Sequence, residues 1–461
     1  MTQSTGSRLA RIRQDFAELT RLAWPVILSR SGVMLMALVD TIMVGRYSSL
    51  ELAYLSIGLA PFGPLLVFGV GIAMGTQVVT ATNHGAGRLR ECGAAWRRGA
   101  PFAFAVGLAG CGLCLFGEAL LAATGQLPDI ARNGGDILMI LGLGLPFVLL
   151  FIASNFFLEG LQRPLPGLWF MLAANVANVF LNWALIGGNA GFPELGAAGS
   201  AWSTTIIRVC LGVAIVGYIW WLRDHEALGV RRGATGGWRA WAHQRRVGYA
   251  SSIAIGGESL GFGIIGLMIG RLGALALGAH AILFNIIVFT AMLAIGVSSA
   301  TSVRVGYARG ARRYTAGRLA AGTGLLFVSL VMGGIGGAFY LFPVAIAGFY
   351  TSDADLAAFV APLIAFLAVV VIVDGNRIVM NSSLRGRGET WSMVVCNATA
   401  YLLIMVPLAW WLAFPADHGL IGVYWAVLVG GLIAFAALAA RFLWLARRDP
   451  DDGVEITSGG N

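Results

Sequence analysis

The chain contains no lysine, and all 31 of its basic residues are arginine. A P-loop requires a lysine on the nucleotide phosphates, so ATP-driven pumping by this chain alone is excluded. Schiff-base chemistry, including attachment of retinal, requires a lysine amine and is excluded for the same reason. The five histidines are scattered and no HExxH motif is present, so the chain lacks that zinc-hydrolase signature.

Charged residues are also scarce, at 11% of the 461 residues, whereas a soluble chain carries about 25%. Hydrophobic residues make up 58% and the mean hydropathy is +0.79. So few polar side chains cannot cover the surface of a soluble protein, which indicates a polytopic membrane protein. The net charge of +9 lies in the loops between apolar runs, which argues against a nucleic-acid partner.

Twelve apolar runs are long enough to cross a hydrocarbon core of ~30 Å as helices. The predicted spans are 20–45, 52–79, 99–124, 133–156, 165–188, 196–222, 246–270, 276–303, 316–348, 356–382, 392–414 and 419–445. The predicted fold is therefore all-α.

Arginines alternate between the two sets of loops. One set contains Arg88, Arg90, Arg97, Arg98, Arg223, Arg231, Arg232, Arg304, Arg309, Arg312, Arg313, Arg385 and Arg387, and both termini add more. The other set contains only Arg46, Arg132 and Arg271. Because positive loops stay in the cytoplasm, we expect both termini there.

An internal repeat relates the two halves of the chain. Shifting the sequence by 225 residues aligns span 1 with span 7 without gaps. The matched pairs include Met43 and Met268, Arg46 and Arg271, Gly71 and Gly296, Thr76 and Thr301, and Arg88 and Arg313. Six spans per half keep the halves in the same orientation, so the repeat is parallel and predicts two pseudo-symmetric six-helix bundles.

The repeat predicts five regions. They are a cytoplasmic N-terminal segment (1–18), an N-terminal bundle (19–222), a cytoplasmic linker (223–245), a C-terminal bundle (246–446) and a disordered tail (447–461).

Three acidic residues lie well inside apolar spans: Asp40, Glu258 and Asp374. A charge at this depth costs several kcal/mol unless it is paired or hydrated, so each needs a reason. Span directions place Glu258 and Asp374 within ~6 Å of the same depth at 1.5 Å per residue, so we expect them to share a cavity. None of the three recurs at the equivalent position of the other half, which favours a functional role over internally paired structural groups.

Three arginines inside spans leave an alternative open. Arg377 lies one helical turn from Asp374, where it either neutralises that acid or extends to the cytoplasmic face. Arg30 and Arg208 raise the same question. Glu159 is expected to reach the cytoplasmic interface.

Asn178 and Asn182 are four residues apart in span 5 and therefore lie on one helix face. Two amides near a carboxylate supply the hard oxygens that a cation coordinates. Hydrogen bonding between helices, common for asparagine in membranes, is the alternative.

The chain also resembles the multidrug and toxic compound extrusion (MATE) family over about residues 15–445. The segments that carry the resemblance are LAWPVILSRSGVMLMALVDTIMVGRYSSLELA, FFLEGLQRP, NVANVFLNWALIGG, PELGAAGSAWSTT and LGALALGAHAI. It is most similar to the NorM branch, whose glutamate in span 7 and aspartate in span 10 correspond to Glu258 and Asp374. The chain departs from the family in lacking lysine and in having Val370 where some members carry a tyrosine.

The resemblance implies a V-shaped pair of bundles that exports cationic, often aromatic, compounds in exchange for Na⁺ or H⁺. It makes Glu258 and Asp374 the coupling-cation site and the Na⁺ candidates. Asp40, Asn178, Asn182 and Thr204 become a substrate- or proton-binding cluster. Asp353 and Asp355 are similar to residues of an outer vestibule.

The predicted function is thus an antiporter in the bacterial inner (plasma) membrane that exports small organic cations by alternating access. We expect it to act as a monomer in contact with membrane lipid and to need no cofactor beyond the coupling ion. We expect no catalytic residues. A flippase for lipid-linked saccharides, from the same wide superfamily, is the alternative. It would favour a cationic cavity for pyrophosphate, whereas the deep charges here are mostly acidic.

Overall fold

The structure, a computed structural model, describes residues 8–233 and 237–450 and the side chains from residue 15 onward in those ranges. The predicted N-terminal segment, linker and tail each extend outside the described residues, at 1–7, 234–236 and 451–461.

The described residues form helices and no β-strand. The α-helices are α1 (Arg8–Tyr47), α2 (Ser49–Gly85), α3 (Leu89–Cys114), α4 (Gly117–Ala123), α5 (Pro128–Leu143), α6 (Leu145–Gly160), α7 (Leu165–Ile186), α8 (Gly196–Trp220), α9 (His225–Leu228), α10 (Ala242–Gly270), α11 (Ala274–Gly310), α12 (Tyr314–Leu341), α13 (Pro343–Tyr350), α14 (Ala354–Gly386), α15 (Trp391–Ala398), α16 (Val406–Ala413) and α17 (Gly419–Ala446).

Among the described residues, eleven helical segments are long and apolar enough to cross a membrane. Helices α3 and α4, bent by 61° across a short break, make a twelfth if they are counted as one span. The predicted all-α, twelve-span architecture is therefore confirmed.

Four spans are interrupted where the sequence predicts continuous helices. The third breaks at Leu115 and Phe116, where Gly117 packs so closely on Gly135 that a Cβ would lie 2.7 Å from the carbonyl oxygen of Gly135. The fourth is divided at Gly144, between α5 and α6. The ninth stops at Leu341 because Pro343 cannot continue the hydrogen-bond ladder of α12. The eleventh contains a π-helix over Thr399–Met405, between α15 and α16. Wide turns of this kind are frequent near functional sites.

The chain divides into two compact units. The N-terminal unit comprises Leu28–His84 and, within its described part, Arg88–Ile255. The C-terminal unit comprises the described residues up to Ile27, Gly85–Gly87 and those from Gly256 onward. The division thus falls inside α1 and α10, whereas the sequence analysis placed 19–27 in the first bundle and 246–255 in the second.

The early turns of α1 belong to the C-terminal unit because polar contacts hold them there. Asp15 pairs with Arg304 of α11 and accepts a hydrogen bond from the Thr323 hydroxyl of α12 at 2.9 Å. Farther along α1, Gly296 of α11 allows a close approach, since a Cβ there would lie 2.8 Å from the Ile27 Cα.

The first turns of α10 belong to the N-terminal unit in the same manner. Gln244 donates hydrogen bonds to the Thr76 hydroxyl at 3.1 Å and to the Ala95 carbonyl at 3.0 Å. A Cβ on Gly71 would lie 2.5 Å from the Ser252 Cα. The Gly71–Ser252 and Gly296–Ile27 contacts are related by the 225-residue shift, so the two units use the same packing twice.

Each unit has its own apolar core. Leu145, Phe156 and Phe157 are fully buried in the N-terminal unit. Leu283 and Ile364 are fully buried in the C-terminal unit. These cores fix the helices that carry the polar residues described next.

Candidate ion-binding and substrate-binding sites

The first polar cluster lies in the N-terminal unit and is centred on Asp40 of α1. Asn178 and Asn182 of α7 donate to its Oδ1 at 2.9 and 2.6 Å, and Thr204 of α8 donates to its Oδ2 at 2.9 Å. The Asn182 amide also lies 3.3 Å from Asn178 Oδ1. All four predicted residues are therefore together. The four-residue spacing accounts for the two amides, which lie on one face of α7.

No arginine lies within ion-pair distance of Asp40 among the described residues. Asn178, Asn182 and Thr204 are buried, whereas Asp40 is only half-buried. The Oδ1 atom of Asn182 is enclosed and accepts no hydrogen bond. Neutral donors therefore stabilise an ionised Asp40 without cancelling its charge, and the cluster retains the capacity to attract a cation.

The second cluster lies in the C-terminal unit, where Arg377 bridges Glu258 of α10 and Asp374 of α14. Its Nη1 and Nη2 donate to Glu258 Oε2 and Oε1 at 3.1 and 2.7 Å, a bidentate pair. Its Nε and Nη2 donate to Asp374 Oδ1 at 3.0 and 2.7 Å. The two acids thus lie together as the sequence predicts, and Arg377 neutralises rather than extending away.

The arginine and the two acids differ in exposure. The Arg377 side chain is 2% exposed, whereas those of Glu258 and Asp374 are 25% and 21% exposed. The guanidinium carbon lies 5.1 Å from the ring centroid of buried Tyr401, which belongs to the π-helix. Arg377 therefore forms the buried part of the cluster, and both carboxylates remain partly accessible.

The charge of this second cluster decides what it can bind. Two ionised carboxylates and one guanidinium leave one negative charge, which a proton or one monovalent cation neutralises. Within the described part of the chain, no group of three or more His, Cys, Asp or Glu side chains is placed to hold a metal ion. A Na⁺ ion at Glu258 and Asp374 would therefore need oxygen ligands other than a third carboxylate.

Glu159 forms a third buried network, in the N-terminal unit. The residue is 3% exposed, and Gln77 and Asn155 donate to its carboxylate at 2.6 and 2.9 Å. Arg30 lies 3.5 Å away and stacks over the Phe156 ring at 5.0 Å. Glu159 is therefore a buried, internally paired group, whereas the sequence analysis expected it to reach the cytoplasmic interface.

Asp353 and Asp355, predicted at an outer vestibule, are both exposed at the start of α14. Asp353 Oδ1 accepts hydrogen bonds from the backbone amides of Asp355 and Leu356 at 3.0 and 3.3 Å. This is the geometry of a helix N-cap, a structural role that leaves any vestibule function a prediction.

Sequence reasoning missed two features of the second cluster. The three-residue spacing indicates that Arg377 reaches Asp374, but its bidentate contact with Glu258 depends on how α10 packs beside α14. The position of Tyr401 depends on the π-helix, for which the sequence shows no signal.

Comparison with known proteins agrees with this architecture. The MatE family model matches residues 25–184 and 251–411, one copy in each half. A probable multidrug resistance protein NorM from Caulobacter vibrioides is 37% identical over 443 residues, which cover 95% of this chain and 93% of that protein. A protein of the same name from Bradyrhizobium diazoefficiens is 30% identical over 453 residues, 95% of each chain.

Solved structures show the same fold at low sequence identity. The eukaryotic MATE transporter AtDTX14 superposes with a TM-score of 0.85 at 19% identity, over 95% of this chain and 98% of its own. A MATE in the bent conformation superposes with a TM-score of 0.85 at 18% identity, over 97% of this chain and 100% of its own. With the family model present in both halves, the chain belongs to the MATE family, in its NorM-like branch.

Proposed function

We propose that the chain is a cation-coupled antiporter that exports organic, often aromatic, cations across the inner membrane by alternating access. Inward movement of Na⁺ or H⁺ drives export, and no cofactor is needed besides that ion. The names of the relatives, multidrug resistance proteins, support the substrate class. The observation that carries the proposal is the half-buried Asp40, which is surrounded by neutral donors and has no ion-pair partner among the described residues.

Asp40 is the proposed contact for the organic cation or for a proton. An ionised carboxylate in a membrane-spanning helix is costly unless a positive charge compensates it. The three hydrogen bonds from Asn178, Asn182 and Thr204 lower that cost but add no positive charge. The cluster is therefore most stable when it holds a cation or a proton.

Glu258 and Asp374 are the proposed coupling site. Because Arg377 already supplies one positive charge, the cluster accepts one further charge, as H⁺ or Na⁺. Exchange follows if occupation of one site lowers the affinity of the other, or if the two ions prefer different conformations of the protein.

The test is ethidium export from proteoliposomes under an imposed Na⁺ or H⁺ gradient. We expect Glu258→Gln, Asp374→Asn and Asp40→Asn each to lose most of the gradient-driven export, because each removes a negative charge from its cluster. Glu226→Gln, which removes an exposed carboxylate from α9, is the matched control and retains export. Normal export by all three site variants would contradict the site assignment.

A lipid-linked saccharide flippase is the alternative, and the half-buried Arg208, which has no ion-pair partner among the described residues, is the one observation that favours it. Its substrate is a pyrophosphate, which both acidic clusters would repel. Wild-type vesicles that translocate a lipid-linked pyrophosphate but show no gradient-dependent ethidium export would favour the flippase.

A further inference from the structure

Arg208 lies beside the Asp40 cluster in the N-terminal unit. It is one helical turn beyond Thr204 on α8, so the two side chains share a helix face. Its stem packs on Gly144, where a Cβ would lie 3.0 Å from the Arg208 Cδ. Its guanidinium carbon lies 4.6 Å from the ring centroid of buried Phe62. These contacts fix the position of a planar, positively charged group.

Arg208 lacks the carboxylate partner that Arg30 and Arg377, the other two arginines predicted inside spans, both have. Arg30 pairs with Glu159, and Arg377 pairs with Glu258 and Asp374. Arg208 forms no ion pair with any described residue, and its Nη1 is enclosed without a hydrogen-bond partner. An enclosed donor such as Nη1 costs free energy unless an anion or a water molecule accepts its hydrogen bond.

Asp40 does not supply a hydrogen bond to Arg208. Its two carboxylate oxygens accept from Asn178, Asn182 and Thr204 instead. Thr204 therefore contacts Asp40, and Arg208 follows one turn later on the same face of α8, with no ion pair between the two charged groups.

We propose that Arg208 binds the carboxylate of zwitterionic substrates whose cationic group is held at Asp40. A guanidinium offers a planar fork that matches a carboxylate in a bidentate pair. The buried Phe62 ring supports the guanidinium from one side and fixes its position. Arg208 is then a specificity-determining residue, and the inference rests on the proposed export function.

The experiment compares two dyes that differ in one group. Rhodamine B carries a cationic xanthene and a free carboxylate, and its ethyl ester carries the cation alone. Export of both is measured from proteoliposomes containing wild type, Arg208→Gln, Arg208→Lys or Asp40→Asn. We expect Arg208→Gln to lower the ratio of rhodamine B export to ester export by about tenfold, the size of one lost charge-assisted contact.

Two controls separate recognition from folding. Arg208→Lys keeps the positive charge but loses the bidentate fork, so it should restore only part of the ratio. Elution from a sizing column reports whether each variant is folded. Asp40→Asn should lower export of both dyes together.

Three results would overturn the inference. If wild type exports the ester but not rhodamine B, the inference fails before any variant is tested, while the proposed function stands. An unchanged ratio in folded Arg208→Gln, or a parallel loss of both dyes in the Gln and Lys variants, makes Arg208 structural. If wild type exports neither dye nor ethidium, the proposed function fails and the inference fails with it.

Discussion

At the scale of single residues, the two units stabilise their acids by different means. Asp40 is surrounded by amide and hydroxyl donors, each worth about 0.5–1.5 kcal/mol net. Glu258 and Asp374 share a guanidinium, whose removal would leave two carboxylates facing each other. The first arrangement preserves a full negative charge, whereas the second reduces two charges to one.

Arg377→Gln tests what the shared guanidinium does. Loss of the positive charge leaves two carboxylates facing each other, so the cluster should bind its coupling H⁺ or Na⁺ more tightly. We expect the pH profile of ethidium export to move upward by about one unit, equivalent to roughly 1.4 kcal/mol. Export is measured between pH 5 and 9, and Arg377→Lys should retain a profile close to that of wild type. A folded Gln variant with an unshifted profile would show that Arg377 only packs the helices.

Parts of these sites were predictable from the sequence for physical reasons. The Asn178–Asn182 spacing follows from helix periodicity, and the depth of an acid follows from its distance to the span end. Their grouping around Asp40 came from the family resemblance, because no single-helix rule relates α1 to α7 and α8. The reach of Arg377 was left open, since its long side chain has several possible partners until the packing of α10 is known.

At the scale of helices, the early turns of α1 and α10 pack within the unit formed mainly by the other half of the chain. Each contact depends on a glycine. Gly296 lies against Ile27 of α1, and Gly71 lies against Ser252 of α10. The repeat aligned these glycines, but sequence similarity between two positions does not reveal which helix packs on them. The predicted bundle boundaries therefore differ from the division seen in the structure.

Gly71→Ala and Gly296→Ala should both destabilise the protein, because a methyl group would lie 2.5 Å from Ser252 Cα or 2.8 Å from Ile27 Cα. We expect about 1–3 kcal/mol for such overpacking, observed as a lower midpoint of thermal unfolding in detergent. Gly63→Ala is the control within α2, since a Cβ there meets no atom within 4 Å. Equal unfolding temperatures for all three variants would contradict the close packing.

The interruptions of the spans show a further limit of sequence reasoning. Hydropathy locates apolar runs but is insensitive to a 61° bend between α3 and α4 or to the π-helix over Thr399–Met405. Pro343 was the visible signal for the end of α12, and a continuous predicted span to residue 348 overlooked it.

At the scale of the whole molecule, the family model confirms the repeat, with its two copies starting at residues 25 and 251. The shared helices provide the scaffold in both halves. The acids do not follow the repeat, since Asp40 corresponds to Ile265 and Glu258 to Val33. The helices are therefore duplicated and the acids are not. This agrees with the proposal that one unit binds the substrate and the other binds the coupling ion.

Reporter fusions test the orientation that the arginine distribution predicts. With both termini in the cytoplasm, alkaline phosphatase fused after Ser352 should be active and the same enzyme fused after Arg448 inactive. Green fluorescent protein should give the opposite pattern at the two sites. Phosphatase activity at Arg448 would contradict the predicted orientation without affecting the family assignment.

The most direct test of exchange is counterflow in proteoliposomes with an ethidium gradient and no imposed ion gradient. Pyranine inside the vesicles reports H⁺, and a sodium indicator reports Na⁺. The account predicts that ethidium movement drives one of these ions in the opposite direction in wild type, and that Glu258→Gln and Asp374→Asn abolish that ion movement. Ethidium transport by wild type with neither ion moving would contradict it.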